Sequence, residues 1–208
     1  AQQYAFAPLF AAQTSRGGLY NIRRAFFAFD TSGITATVAS ATINIYGITN
    51  GTLDLIGVKA TRPDLANPIV NADFDAITGF SAGSSMAGNV TDYTAEVTSW
   101  STSGYNSITL NAAALSDLQN GSVFAICFVG YDNDYLNVDP GYSAGINQSS
   151  GMYYANSSTA SRRPYLDYTL ATAGSEVAKV DGVAEANILK VIGVANANIA
   201  KINGVDMP

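Results

Sequence analysis

The residues of this 208-residue chain with the types and spacing for chemistry begin with an acidic run, Tyr131-Asp132-Asn133-Asp134-Tyr135-Leu136-Asn137-Val138-Asp139-Pro140. Alternating oxygen-bearing side chains in a loop suit Ca²⁺, which takes about six to eight hard oxygen ligands. Asp132 and Asp134 are therefore the candidate metal ligands, and a structural calcium is the one cofactor the sequence offers. The loop is not of the EF-hand type, which needs a glycine at its sixth position and an acid at its twelfth. Asn137 and Ser143 stand there instead. The competing reading is a solvated loop after a buried strand. Asp73 with Asp75, and Asp92 with Glu96, are further carboxylate pairs. Such pairs serve glycoside hydrolysis only at a fixed separation, and nothing in the sequence fixes one.

Tyrosines crowd the later part of the chain. Tyr131, Tyr135, Tyr142 and Tyr153, followed by Tyr154 and Tyr165, alternate with Asn and Ser. Tyrosine beside amide side chains makes a contact surface for sugars or proteins, because a rigid ring gives area at low entropy cost. The alternative is tyrosine at half-exposed strand positions. Trp100 reads as core rather than as a ligand platform, and Arg23-Arg24 and Arg162-Arg163 as partners of local acids or carbonyls.

Other chemistries are excluded by composition. The chain has no histidine, which removes Ser-His-Asp and Cys-His nucleophile systems and nearly every catalytic zinc site. The single cysteine, Cys127, lies in the apolar run Val123–Val129 and reads as a small buried hydrophobe. A net charge of −6 and a pI near 4.4 argue against a nucleic-acid partner. Charged residues make up only 12% of the chain, so the surface is polar through Asn, Thr, Ser, Gly and Tyr. No apolar run approaches the roughly 20 residues of a membrane span. Sequons at Asn50, Asn89, Asn147 and Asn156 arise by chance in so Asn/Thr/Ser-rich a chain. The first residue is alanine with no charged-then-apolar leader before it, so either a leader was removed or an initiator methionine was trimmed.

The elements that must position these residues read as strands. Ala41, Ile43 and Ile45 alternate with Thr42 and Asn44, the period of a half-buried strand. Arg24–Phe29, Leu53–Val58, Ser107–Leu110 and Tyr165–Leu170 read the same way, while Val123–Val129 is continuously apolar and fits a strand covered on both faces. Two segments invite a helix: Val90–Trp100, and Ala112–Gln119 after the cap Asn111. Many short strands separated by turn residues predict an all-β fold, an antiparallel jelly-roll β-sandwich with a C-terminal repeat tail of short β-segments.

The expected organisation is an N-terminal extension over 1–17, the sandwich over 18–170, and a linker with an assembly tail over 171–208. In the tail Lys179, Lys190 and Lys201 recur every 11 residues, as do Gly182, Gly193 and Gly204, and Val183, Val194 and Val205. An 11-residue period fits a right-handed helical coiled coil, but a glycine in each repeat costs a helix about 1 kcal/mol. Short β-segments with turns at the glycines are preferred. Val183, Ile188, Val194, Ile199 and Val205 are the expected assembly residues, since so short a repeat must bury its apolar side against a neighbour. That neighbour is either another copy of the chain or the chain's own body.

Two stretches carry a resemblance. Arg24-Ala25-Phe26-Phe27-Ala28-Phe29-Asp30-Thr31-Ser32-Gly33-Ile34, continuing through Val38-Ala39-Ser40-Ala41-Thr42-Ile43-Asn44-Ile45-Tyr46, resembles the opening signature of the DNRLRE-type jelly-roll domains, which are also found among carbohydrate-binding modules. Val97-Thr98-Ser99-Trp100 and the closing Arg163-Pro164-Tyr165-Leu166-Asp167-Tyr168 are similar to the same family's later motifs. The resemblance implies an antiparallel sandwich without catalysis, used for adhesion, glycan binding or structure. The tail resembles the repeats of phage fibre and surface proteins. The expectation is a non-enzymatic structural protein on a virion surface, a phage capsid decoration or fibre protein. It would be a homo-oligomer, trimer favoured, contacting other virion proteins and a cell-surface glycan. A subunit of an extracellular filament using strand addition, or a secreted carbohydrate-binding module, is the alternative.

Overall fold

The computed structural model describes residues 9–16, 19–61, 70–139 and 147–171, and in the tail the paired stretches 179–180, 183–184, 190–191, 194–195, 201–202 and 205–206. The chain divides into two compact units, Ala1–Leu170 and Ala171–Pro208.

The first unit is an antiparallel β-sandwich. Its larger sheet contains β1 (Leu9–Arg16), β2 (Leu19–Arg23), β4 (Val38–Gly51), β6 (Tyr105–Thr109), β8 (Asn147–Met152) and β9 (Tyr165–Leu170). These run in the order β2-β1-β8-β4-β6, with β9 also paired to β4. The smaller sheet has the order β3-β7-β5, from β3 (Ala25–Asp30), β7 (Val123–Gly130) and β5 (Leu55–Lys59). The long β4 organises the larger sheet. Its Ile43 lies opposite Ile108 of β6 and Leu166 of β9, and its Gly47 opposite Met152 of β8.

Between the sheets, Ala41, Ile43 and Ile45 of β4 meet Phe27, Leu55, Phe124, Ile126 and Phe128. Because side chains alternate along a strand, β7 also presents Ala125, Cys127 and Val129 to the other side. There they meet a second core of Ile56, Val58, Ile77, Met86 and Tyr135. This is why Val123–Val129 is apolar without interruption. The single α-helix among the described residues, α1 (Ala112–Asn120), buries Ala114 and Leu118 in the first core. The Asn111 side chain caps it, accepting from the Ala114 N–H at 3.1 Å.

Two expectations are corrected by the fold. Val90–Trp100 is not a helix: Val97 and Leu55 exchange backbone hydrogen bonds, and the Tyr93 N–H donates to the Gly57 carbonyl. The segment runs extended beside β5, which suits its β-branched Val90, Thr91, Thr94, Val97 and Thr98. The stretch 1–17 is not simply an extension, since Leu9–Arg16 is β1, paired with β2 on one side and β8 on the other.

In the second unit the described residues form three short antiparallel pairs: β10 (Lys179–Val180) with β11 (Val183–Ala184), β12 (Lys190–Val191) with β13 (Val194–Ala195), and β14 (Lys201–Ile202) with β15 (Val205–Asp206). The register repeats with the sequence, placing Val180 opposite Val183, Val191 opposite Val194 and Ile202 opposite Val205.

Candidate functional site: a tyrosine and arginine face

The polar positions of β4 point away from the core, and the ladder brings tyrosines together there. Tyr46 of β4 is opposite Tyr105 of β6, and Asn44 is opposite Tyr165 of β9. Tyr153, just after β8, donates its backbone N–H to the Tyr46 carbonyl at 2.9 Å. The rings meet edge to face, Tyr46 with Tyr105 at 5.1 Å, Tyr46 with Tyr153 at 5.6 Å and Tyr105 with Tyr165 at 5.1 Å. Arg162, on a 3₁₀ turn, sets its guanidinium over Tyr46 at 5.2 Å and Tyr153 at 5.3 Å, and its Nη1 donates to the Tyr153 hydroxyl at 2.6 Å.

The tyrosines also hold two loops against the sheet. The Tyr46 hydroxyl donates to the Ser103 carbonyl at 2.6 Å, and the Tyr105 hydroxyl reaches the Ser161 and Arg163 carbonyls at 2.9 and 3.0 Å. Beneath the face Asn44 is only 4% exposed; its amide donates to the Thr42 hydroxyl, and its carbonyl accepts from Ser107 at 2.6 Å. Burial, with the neighbouring Tyr165 and Tyr46, pushes the Tyr105 phenol above its ordinary pKa. The bond to Tyr153 raises Arg162. At neutral pH the Tyr105 phenol is therefore neutral and Arg162 is a fixed cation. Rings, hydroxyls and a guanidinium on one surface can bind a polyhydroxylated or anionic ligand by CH–π contact, hydrogen bonding and charge.

Of the tyrosines picked out by sequence, Tyr153 and Tyr165 belong to this face. Tyr131 and Tyr135 stack on each other at 5.4 Å on the far side of the smaller sheet. Tyr135 is buried and donates to Asp92 at 2.8 Å. Burial, then the Asp92 bond and charge, raise its pKa. Tyr142 lies outside the described residues. Tyr46, Tyr105 and Arg162 were missed as their partners, because only the pairing of β4 with β6 and β9 makes them neighbours.

The acidic run has a structural task. Asp134 takes a two-point ion pair from Arg24, Nε to Oδ2 at 2.9 Å and Nη2 to Oδ1 at 2.8 Å. The backbone N–H groups of Asn133 and Asp134 donate to the Gln13 side-chain oxygen at 2.8 and 3.1 Å. Asp132 is exposed. The Asp132 and Asp134 carboxylates thus have different surroundings, one exposed and the other paired with Arg24. The other acids are also separately engaged: Asp73 accepts from the Val70 N–H at 2.8 Å, and Asp75 lies 3.4 Å from Arg24. Among the described residues no group of three or more His, Cys, Asp or Glu side chains is placed to hold a metal ion. Also among them, no helix is long and apolar enough to cross a membrane. Of the tail residues, Val183, Val194 and Val205 each open the second strand of a pair, and Ile188 and Ile199 lie outside the described residues.

In comparison with known proteins, no family model matches the chain and no curated protein matches it.

Proposed function

We propose that this chain is a non-enzymatic structural protein displayed on a virion surface, a capsid decoration or fibre protein, that assembles through its tail into a homo-oligomer, with a trimer favoured. The observation that carries this reading is the repeated β-pair of the tail, three times in one register at an 11-residue period. A two-stranded ribbon with two paired residues per strand is at best marginally stable alone. Repeats of this kind gain stability by stacking on neighbours. The body supports the reading through its weakly charged, Asn/Thr/Ser-rich composition and its continuous double core. The test is absolute mass by light scattering on the full chain and on its Val183→Asp/Val194→Asp/Val205→Asp variant. A closed oligomer that the triple substitution reduces to monomers is expected. A full chain that is already monomeric overturns the assembly.

A second reading, a carbohydrate-binding module, is favoured by the tyrosine and arginine face. Saturable polysaccharide binding that Tyr165→Ala weakens, in a chain that stays monomeric, would favour it over the first.

A further inference from the structure

β9 is an edge strand among the described residues, and its sequence carries little of the usual protection of an edge. Among the described residues it pairs with β4 alone. Leu166, Tyr168 and Leu170 lie opposite Ile43, Ala41 and Val38, all of them buried, and so face the core side of the sheet. Yet Tyr168 and Leu170 are 41% and 48% exposed. The smaller sheet ends at β3, leaving a groove of about 340 Å³ lined by Phe29, Ile34, Pro164, Leu166 and Tyr168. Natural edges are guarded by Lys, Pro or bulges, and an exposed apolar edge without them pairs with another strand. Tyr165–Leu170 contains no basic residue and no proline, Asp167 is its only charge, and the one register shift in its ladder lies on β4 between Val38 and Ser40, at the Leu170 end.

The pattern of the strand identifies what it fits. Leu166-Asp167-Tyr168-Thr169-Leu170 is close to palindromic about Tyr168. Antiparallel pairing of two copies centred there sets Leu166 against Leu170, Tyr168 against Tyr168, and Asp167 against Thr169. Residues directly opposite in an antiparallel ladder share a face, so apolar meets apolar and each acid meets a hydroxyl. A register centred one residue earlier would put Asp167 against Asp167, a like-charge clash. We propose that the edge of β9 left unpaired among the described residues docks on β9 of a second copy of this chain, antiparallel and centred on Tyr168. This interface goes beyond the tail assembly and does not depend on it. A self-associating tail joined at Ala171 would only raise the effective concentration of the edges.

The experiment is oxidative cross-linking of the full chain carrying Tyr168→Cys, with Asp167→Cys as the control. The native Cys127 is fully buried and does not compete. In the proposed register the two Cα atoms at 168 lie about 5 Å apart, within reach of a disulfide. Those at 167 are offset by two residues along each strand and lie about 8 Å apart, beyond it. Disulfide dimer should form at least about tenfold faster at 168 than at 167. Equal rates, faster reaction at 167, or no dimer overturns the proposal. As a second measurement, Tyr168→Lys in the tail-substituted chain should abolish the dimer seen by light scattering at raised concentration, and an unchanged mass distribution also overturns it. Because that background lacks a working tail, failure of the β9 contact and failure of tail assembly read separately.

Discussion

Arg24 and Asp134 face each other as a two-point ion pair with side chains only 2% and 3% exposed, and the same guanidinium lies over the Phe74 ring at 4.1 Å and the Phe80 ring at 4.3 Å. The pair joins the start of β3 to the turn after β7. The Phe74 carbonyl, accepting from Arg24 at 2.7 Å, adds the segment that covers the smaller sheet. The acid that looks like a calcium ligand in sequence is a counter-ion in the fold.

Breaking this pair should be costly. Removing one partner of a buried ion pair leaves an uncompensated charge, worth roughly 3–5 kcal/mol. Asp134→Ala should lose that much in urea unfolding of the full chain. Arg24→Lys should not restore wild-type stability, since an ammonium cannot reproduce the planar fork or the stacking. A loss below about 1 kcal/mol for Asp134→Ala would mean that the rings alone hold the guanidinium.

The same geometry bears on calcium. Both Asp134 oxygens already accept from Arg24, so a cation there would have to displace a guanidinium of the same sign. The melting temperature should be equal in a chelator and in excess Ca²⁺. A calcium-dependent rise that Asp132→Asn abolishes would restore the metal-binding reading.

A third prediction concerns pH. On the helix side of the sandwich, Asp117 accepts from Lys59 at 2.8 Å and from the Tyr93 hydroxyl. Burial pushes the Asp117 carboxyl up, but the hydrogen bonds from Lys59 and Tyr93 and the Lys59 charge outweigh it and hold the pKa below the usual 3.8. A depressed carboxylate adds stability above its unfolded pKa and loses it as pH falls through the folded one. The loss therefore comes below pH 4. With both side chains about one-third exposed, the pair contributes at most about 1 kcal/mol. Lys59→Met should flatten that acid limb. At the alkaline end Tyr93 is raised above its ordinary 10.0, by burial first and then by Asp117. Its contribution should persist below pH 10 and fall away above it. Unfolding free energies measured across pH in both chains check each limb.

Period and capping carried much of the fold into view. The alternation of Ala41, Ile43 and Ile45, the unbroken run of β7 and the cap Asn111 each act through local chemistry. What stayed hidden depends on tertiary partners. The segment Asn147–Met152 is mostly polar, so nothing in it marks a strand between β1 and β4. Gln13 is fully buried because its oxygen serves the turn after β7, 120 residues away along the chain in the bond to Asn133. Val90–Trp100 invited a helix, but its β-branched residues fit an extended run beside β5 better. The tyrosine face shows the same division. Chain proximity grouped Tyr153 and Tyr165 with Tyr131 and Tyr135, whereas sheet register joins them to Tyr46 and Tyr105.

The close approach that shapes this face supplies the last prediction. A Cβ on Gly47 would lie 1.8 Å from the Ser101 carbonyl oxygen and 2.9 Å from Asn106 Nδ2. Backbone cannot yield as a flexible side chain can, so Gly47→Ala must push the 101–104 loop away from β4. The Gly47 N–H bond to the Gly104 carbonyl and the Tyr46 hydroxyl bond to Ser103 would then lengthen or break. At about 1 kcal/mol for each hydrogen bond, plus strain, Gly47→Ala should cost roughly 2–3 kcal/mol. Tyr46→Phe removes only the hydroxyl contact and should cost about 1 kcal/mol. Denaturant unfolding gives both values. Near-ultraviolet circular dichroism of the packed rings should change in Gly47→Ala and stay close to wild type in Tyr46→Phe. Equal stabilities and unchanged spectra for both variants would show that the loop and the tyrosine rings hold their places independently of this contact.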